Sequence, residues 1–450
     1  MNDSRVNDLL AFLRFPSVST QTDHAADMRA CAAWLEAKLN SLGFTAEVRE
    51  TGGHPAVVAK SPYDPAKRTV LIYGHYDVQP PDPLDEWETP PFEPTIRDGR
   101  IYARGSTDNK GQILAHILGV GELLSRGETL PVNVTFLVEG EEETGSDNLA
   151  PFLERYRENL ACDVIVISDT GMAAHNYPTL TYALRGIAAL EFRVSGPSQD
   201  LHSGVFGGAV MNPATAVARL IATLHDQDGR VLVEGFYDKV RPLPEWEREA
   251  LASLPVGDES IRTLAGVDQL FGEKGYSAME QIGARPTVEV NGIGGGYQGE
   301  GTKTVLPKGA FAKLTCRLVS DQVPDEILHL VEAHLHKHCP PGVRLEVTCG
   351  HSGEPYYTDP TSPDGMAARR ALKEVFEIEP ALMREGGSIP ILTSFKKILG
   401  KDTLLLALAS PDCHAHSPNE NFPLENFFNG IRLSQAVIRE LGTVSRQPAA

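Results

Sequence analysis

The chain has 450 residues, too many for one ordinary hydrophobic core, so about two or three domains are expected. Its 41% hydrophobic and 22% charged residues are those of a globular protein in water, and no stretch is long and apolar enough to span a bilayer. A formal net charge of −19 without an evident basic patch argues against a nucleic-acid partner but leaves room for a local cationic pocket.

The first segment, "MNDSRVNDLLAFLRFPSVS", has mixed charge and a short apolar run. It predicts an amphipathic helix ended before Pro16 rather than a secretory signal. The apolar run "TVLIY" then leads into "GHYDVQP", residues 74–80. Alternate residues of an extended chain share a face, so His75 and Asp77 point into one volume. Two readings are open: a capped strand end with a satisfied histidine, or a metal ligand with the carboxylate that orients it. "YARGSTDNKGQ" (102–112) places Asp108 just before the helical stretch "NKGQILAHILGVGELLSRG", which Gly127 stops. Asp108 reads as a helix cap or as a carboxylate bridging two cations.

"VNVTFLV" runs into "EGEEETGS" (139–146), with Glu139, Glu141, Glu142 and Glu143 around one glycine. An acidic run is commonly a solvated face. Directly after a buried strand, however, crowded carboxylates raise one another's pKa unless cations neutralise them. Adjacent Glu142 and Glu143 can then divide the labour, one binding metal and the other accepting a proton from water. "CDVIVI" leads in the same way into "SDT", with Asp169.

From Gly186 the pattern changes to alternation, as in "AALEFRVSG" and "AFAKLTCRLVS", with helices such as "NPATAVARLIATLHD" between. This predicts an α+β domain at 186–354, inserted into a first domain that spans 1–185 and resumes at 355–450. The "SRQPAA" tail is expected to be disordered. Two decoys lie in the insertion. "HLHKHC" (334–339) closes an amphipathic helix, where cations suit the macrodipole. "NGIGGGYQGEG" (291–301) is followed by a strand-like "TKTVLP", whereas nucleotide-binding glycine loops need a helix there.

Near the C-terminus "TLLLALA" leads into "SPDCHAHS", where one of His414 and His416 is expected to be a ligand. Four continuous apolar runs thus end in histidine or acid. Such runs alternating with helices predict an α/β fold, a mostly parallel sheet with helices on both faces. In such sheets ligands gather at the carboxyl ends of the strands. The six scattered cysteines, with no Cys-x-x-Cys, suit reduced thiols in a cytoplasmic enzyme.

Assembled in this order, "LLAFLRFPSVS", "GHYDVQP", "YARGSTDNKGQ", "EGEEETGS", "ISDT", "DLHSGVFGG", "TCRLV", "REGGSIP" and "AHSPNE" resemble the co-catalytic di-zinc aminoacylase, carboxypeptidase and dipeptidase family. The similarity covers nearly the whole chain and is greatest to the cytosolic non-specific dipeptidase and carnosinase branch. The resemblance implies one metal held by His75 and Asp169, a second by Glu143 and His416, and Asp108 bridging them. It also implies a cis peptide at Asp108–Asn109, Asp77 orienting the histidine and Glu142 as general base. His202 of "DLHSGVFGG" would reach a partner's site across a homodimer built through the inserted domain. Arg317 of "TCRLV" would grip a substrate carboxylate bidentately, with Ser388 as a further substrate contact. His202 and Arg317 also read as ordinary interface or strand residues.

The metals implied are two divalent ions, zinc first, with manganese or cobalt also compatible with so many oxygen donors. The activity implied is hydrolysis of dipeptides or short peptides with a free C-terminal carboxylate. Its alternatives are deacylation of N-acyl amino acids and a catalytically silent metal-binding dimer. The length of the insertion and "FYDKVRPLPEWEREALASLP" look more like the dipeptidase branch.

Overall fold

The computed structural model describes residues 3–387, 389 and 391–446; Ser388 and most of the "SRQPAA" tail lie outside the described residues. The four apolar runs become neighbours in a nine-stranded sheet. Strand Thr69–His75 lies at its middle, parallel to Asn133–Glu139 on one side and to Val164–Ile167 on the other. Thr403–Leu406 continues the parallel set beyond Val164–Ile167. Antiparallel strands extend both flanks: Ala56–Lys60 and Thr45–Arg49 on one, Thr179–Leu184 and Tyr356–Tyr357 on the other. Ala381–Glu385 also pairs with Thr179–Leu184, in parallel. The sheet is therefore mixed, with its parallel strands in the middle.

Those middle strands read as unbroken apolar runs because both faces are covered. Every residue of Asn133–Glu139 is buried. One face packs on helices Lys110–Ser125, Pro363–Phe376 and Leu424–Gly442. The first of these is buried over most of its circumference, which explains why it is apolar nearly all round. It approaches Leu424–Gly442 closely at Gly119, where a Cβ would sit 2.6 Å from the Ile431 carbonyl oxygen. On the opposite face a second cluster gathers Phe152, Leu160, Ile391 and Phe395. Among the described residues no helix is long and apolar enough to cross a membrane.

Strands Thr287–Gly295, Gly309–Leu318, Gly186–Ser195 and Arg344–Gly353 lie in that order in a separate antiparallel sheet. Helices Pro213–Ala222 and Pro324–His338 contribute to the core on one face of it. Gly309–Leu318 alternates between buried and partly exposed positions, as expected for a strand with one covered face. The decoys take structural places. His334 lies in a helix and its Nε2 is 3.0 Å from Thr223 Oγ1. The glycine-rich stretch leads into the short strand Val305–Leu306, which pairs with Leu201–His202.

Candidate metal centre

Parallel strands in register bring their ends together. His75 ends its strand directly beside Glu139, and Glu142 and Glu143 follow in the next turn. Asp169 stands just past Val164–Ile167, and Asp108 arrives in the loop before helix Lys110–Ser125. Gly74 makes that arrival possible. A Cβ there would lie 2.7 Å from Asn109 Oδ1 and 2.8 Å from Ile113, so only glycine admits the loop against the strand end.

The cap reading of Asp108 fails, because Asn109 occupies the cap position. Its side chain serves another loop, Nδ2 donating to the Ser168 carbonyl oxygen (2.6 Å) and to Asp169 Oδ1 (2.9 Å). The Asp108–Asn109 peptide is cis. The Asp108 carboxylate faces two histidines.

Its two oxygens divide between them. Oδ1 is 3.1 Å from His75 Nε2, and Oδ2 is 2.9 Å from His416 Nε2. His75 Nε2 also lies 3.8 Å from Asp169 Oδ2, while His416 Nε2 lies 3.3 Å from Glu143 Oε2. Two groups capable of holding a cation result, His75–Asp108–Asp169 and Asp108–Glu143–His416, with potential ligand atoms within 4.8 Å of one another in each. The donor atoms fit cations. His75 Nε2 and Glu143 Oε1 are buried without a hydrogen-bond partner, a costly state that coordination would relieve.

His75 Nδ1 lies 3.1 Å from the backbone carbonyl oxygen of Asp77 and 3.3 Å from its Oδ1. A proton on Nδ1 directed at these acceptors leaves the Nε2 lone pair facing the cluster. Orientation of the ring is thus shared between the Asp77 carboxylate and the Asp77 backbone. The carboxylate has a second task, accepting the backbone N–H groups of Glu142 (3.3 Å) and Glu143 (3.0 Å). Gln79 Nε2 donates to Glu143 Oε2 at 2.8 Å and fixes that side chain from outside.

The charges explain why protons compete for this place. Burial alone would depress His75, yet Asp108, Asp77 and Asp169 outweigh it and lift its pKa well above the ordinary imidazole value. Hydrogen bonds to Asp108 and Glu143 raise His416 to about 10. Burial works against Asp108, but the two histidines hold it well below the usual carboxylate range. Asp169 is pushed up to about 7 by burial and by the Asp108 charge. Burial, reinforced by Asp169, Asp108 and Glu143, raises Glu142 well above the usual value. A crowd of acids held together only by protonated imidazoles is one that divalent cations would neutralise.

Of the paired histidines, His416 joins the cluster and exposed His414 does not. Both have positive φ, 56° and 60°, so the loop turns sharply enough to send neighbouring side chains different ways. His202 is exposed, with Nδ1 accepting from the Gly204 N–H at 3.0 Å, and makes no contact with the cluster among the described residues. Arg317 lies on strand Gly309–Leu318, opposite Ile187 and Thr287.

Two charged residues beside these escaped the sequence reading. Arg185 stands between strands Thr179–Leu184 and Gly186–Ser195, its Nε without a partner. Burial and the nearby Arg317 charge bring its pKa down to about 10. The signal was available, since an arginine interrupts the apolar text "TYALRGIAAL". Glu385 is half-buried at a strand end, accepts the Gly171 N–H at 3.1 Å, and is pushed up to about 7 by the desolvation of its carboxyl.

Histidines and carboxylates gathered around one aspartate at the carboxyl edge of an α/β sheet fit the centre of a metal-dependent hydrolase. The chain belongs to Peptidase family M20/M25/M40, whose sequence pattern matches residues 71–440. It is 33% identical over 459 residues to the Cys-Gly metallodipeptidase of Schizosaccharomyces pombe, covering 98% of this chain and 96% of that one. The crystal structure of an M20 family metallo-carboxypeptidase from Sulfolobus solfataricus superposes with a TM-score of 0.83 at 34% identity, covering 98% of this chain and 100% of that one. Human carnosine dipeptidase 1 superposes with a TM-score of 0.78 at 31% identity, covering 98% and 96%.

Proposed function

We propose that this enzyme hydrolyses the peptide bond of dipeptides and short peptides that carry a free C-terminal carboxylate. The observation that carries the reading is the Asp108 carboxylate, one oxygen toward each of two ligand groups, with Glu142 close enough to interact with their charges. His75 and Asp169 would hold one cation, Glu143 and His416 the other, and Asp108 both. Zinc suits this donor set best, with manganese or cobalt as substitutes. Bound there, the cations supply an acidified water and polarise the scissile carbonyl.

The protein's own groups do the rest. Glu142 accepts a proton from the attacking water and delivers it to the amide nitrogen as the C–N bond breaks. Burial and the neighbouring carboxylates raise its pKa above the ordinary carboxylate value, which makes it a stronger base toward the water and a fit carrier for the proton between the two transfers. Asp77 fixes the Glu142 backbone and the His75 ring together. Arg185 Nε is buried without a hydrogen-bond partner and the Arg317 charge lies beside it, so these two guanidinium groups suit the substrate's terminal carboxylate. Ser388 would add a contact there. Residues 186–354 would act as a lid and dimerisation domain, bringing a partner's His202 to the carbonyl oxygen.

The relatives support peptides as substrates. They include Cys-Gly and Beta-Ala-His dipeptidases, and a carboxypeptidase is among the similar structures. All six cysteines are free, which supports a reducing, cytoplasmic setting. Assay of the metal-loaded enzyme against dipeptides and against N-acetyl and N-succinyl amino acids tests the reading. Dipeptide turnover is expected; turnover confined to the acyl amino acids overturns it. Glu142→Gln should lower kcat about 10²–10⁴-fold while leaving metal content unchanged.

A further inference from the structure

Glu420 is fully buried beneath the cluster, next to the loop that carries His416. Its carboxylate accepts four hydrogen bonds. Oε2 takes Arg104 Nη1 at 2.7 Å and the Gly105 N–H at 2.8 Å; Oε1 takes the N–H groups of Thr107 at 2.9 Å and Asp108 at 3.0 Å. Every donor but the arginine is backbone of the segment that ends in Asp108. Arg104 is itself 1% exposed and reaches further, Nη2 donating to the Pro80 carbonyl oxygen at 3.2 Å in the loop that follows His75. The junction is closed by the Glu420 carbonyl oxygen, which accepts the Ala103 N–H at 3.1 Å, and by Thr107 Oγ1, which donates to the Asn421 carbonyl oxygen at 2.7 Å.

One buried ion pair therefore ties together the three loops that deliver His75, Asp108 and His416. Stability is a poor explanation for it. A fully buried ion pair is often no better than well-packed apolar side chains, because desolvation offsets the attraction. This one adds another carboxylate directly under an acidic crowd. Nor would the neutral isostere serve. Two carboxylate oxygens are pure acceptors and match four converging donors, whereas a glutamine would turn an NH₂ group onto two of them.

We propose that Glu420 is a positioning residue for the metal pair, its carboxylate setting Asp108 at the separation from His75 and His416 at which one aspartate serves both ligand groups. The inference rests on the metal-centre reading and extends it from the ligands to the loop junction behind them. Removing such an outer partner of a ligand is expected to weaken metal binding about 10–100-fold.

The test compares Glu420→Gln with wild type by chelator competition for Zn²⁺ and Mn²⁺, bound-metal content and thermal melting. A control comes from another buried ion pair, Arg384–Glu247 at 2.6 Å, as Glu247→Gln. Expected is a folded Glu420→Gln chain with at least one ion held about 10–100-fold more weakly, while Glu247→Gln lowers the melting temperature and leaves metal affinity unchanged. Should Glu420→Gln fail to fold, Glu420→Asp, which keeps the charge but draws it back, should show a smaller loss of affinity. Two ions at wild-type affinity in the folded Glu420 variant, or an equal loss in Glu247→Gln, overturns the proposal alone. A wild-type chain that takes up no divalent metal overturns the metal-centre reading and this proposal with it.

Discussion

His75 is fully buried, whereas His416 leaves 56% of its side chain exposed, although both reach the same aspartate. The buried half is prepared from behind. Asp77 accepts from the His75 ring, Asn109 holds Asp169, and the strand ends set the spacing. The exposed half is assembled from a turn with positive φ and from Glu143, which Gln79 steadies. A rigid half beside an open one suits a centre that must keep its charge in place and still admit a peptide. The shared aspartate makes the two halves interdependent, so the contrast can be tested by perturbing each.

The largest effect is expected from Asp108→Ala, which removes an oxygen from both halves at once. Metal content should fall for both ions and dipeptide turnover by about 10³-fold or more, measured by elemental analysis and steady-state assay. Retention of a full complement of metal would break the idea of a shared ligand. Next come the single histidines. His75→Ala leaves buried carboxylates uncompensated and should cost about 3–5 kcal/mol of stability in the metal-free chain. His416→Ala, at the rim, should lower the melting temperature much less and recover activity when metal is supplied in excess. Equal destabilisation of the two variants would erase the contrast.

The pH dependence sharpens it further. In the metal-free protein His416 is raised to about 10, so its proton must leave before a cation binds. Metal affinity at that half should climb with pH up to about 10. In the chelated protein the stabilisation from His416 is complete below about 6.5 and disappears as pH rises through about 10. Titration of metal uptake, and melting of the chelated protein across this range, would show both trends.

The smallest expected effect comes from His116, which lies in the core with Nε2 2.8 Å from Ser168 Oγ. Burial lowers its pKa to about 4. Its sign is opposite to that of His416: the neutral ring is accommodated above about 6.5, and stability is lost as pH falls from there toward about 4. The loss is at most about 3 kcal/mol. His116→Gln should flatten the acid limb of a melting-temperature profile by that much or less.

The legible part of this molecule was carried by local pattern. Apolar runs ending in His75, Glu139 and Asp169 marked buried parallel strands and the edge where ligands collect, since the dihedral preferences and burial of a strand act over a few residues. The acids of "EGEEETGS" were legible for the same reason. Asp77 was only half legible. Its carboxylate was read as the partner of His75, but the structure also shows its backbone oxygen on that ring and its carboxylate on the backbone of Glu142 and Glu143. Backbone acceptors leave no mark on residue type. Arg185 left a mark as an arginine in apolar text, but its closeness to Arg317, like that of Glu420 to Asp108, was invisible because each pair joins segments more than a hundred residues apart.

From sequence alone it was determined that an α/β sheet would carry histidines and carboxylates at its strand ends, because hydrophobic periodicity and residue chemistry are written locally. Only the tertiary structure decided that His416 rather than His414 joins the centre, and that Asp108 turns one oxygen to each half. Those choices depend on loop conformations and on contacts between distant segments, which packing of the whole chain sets.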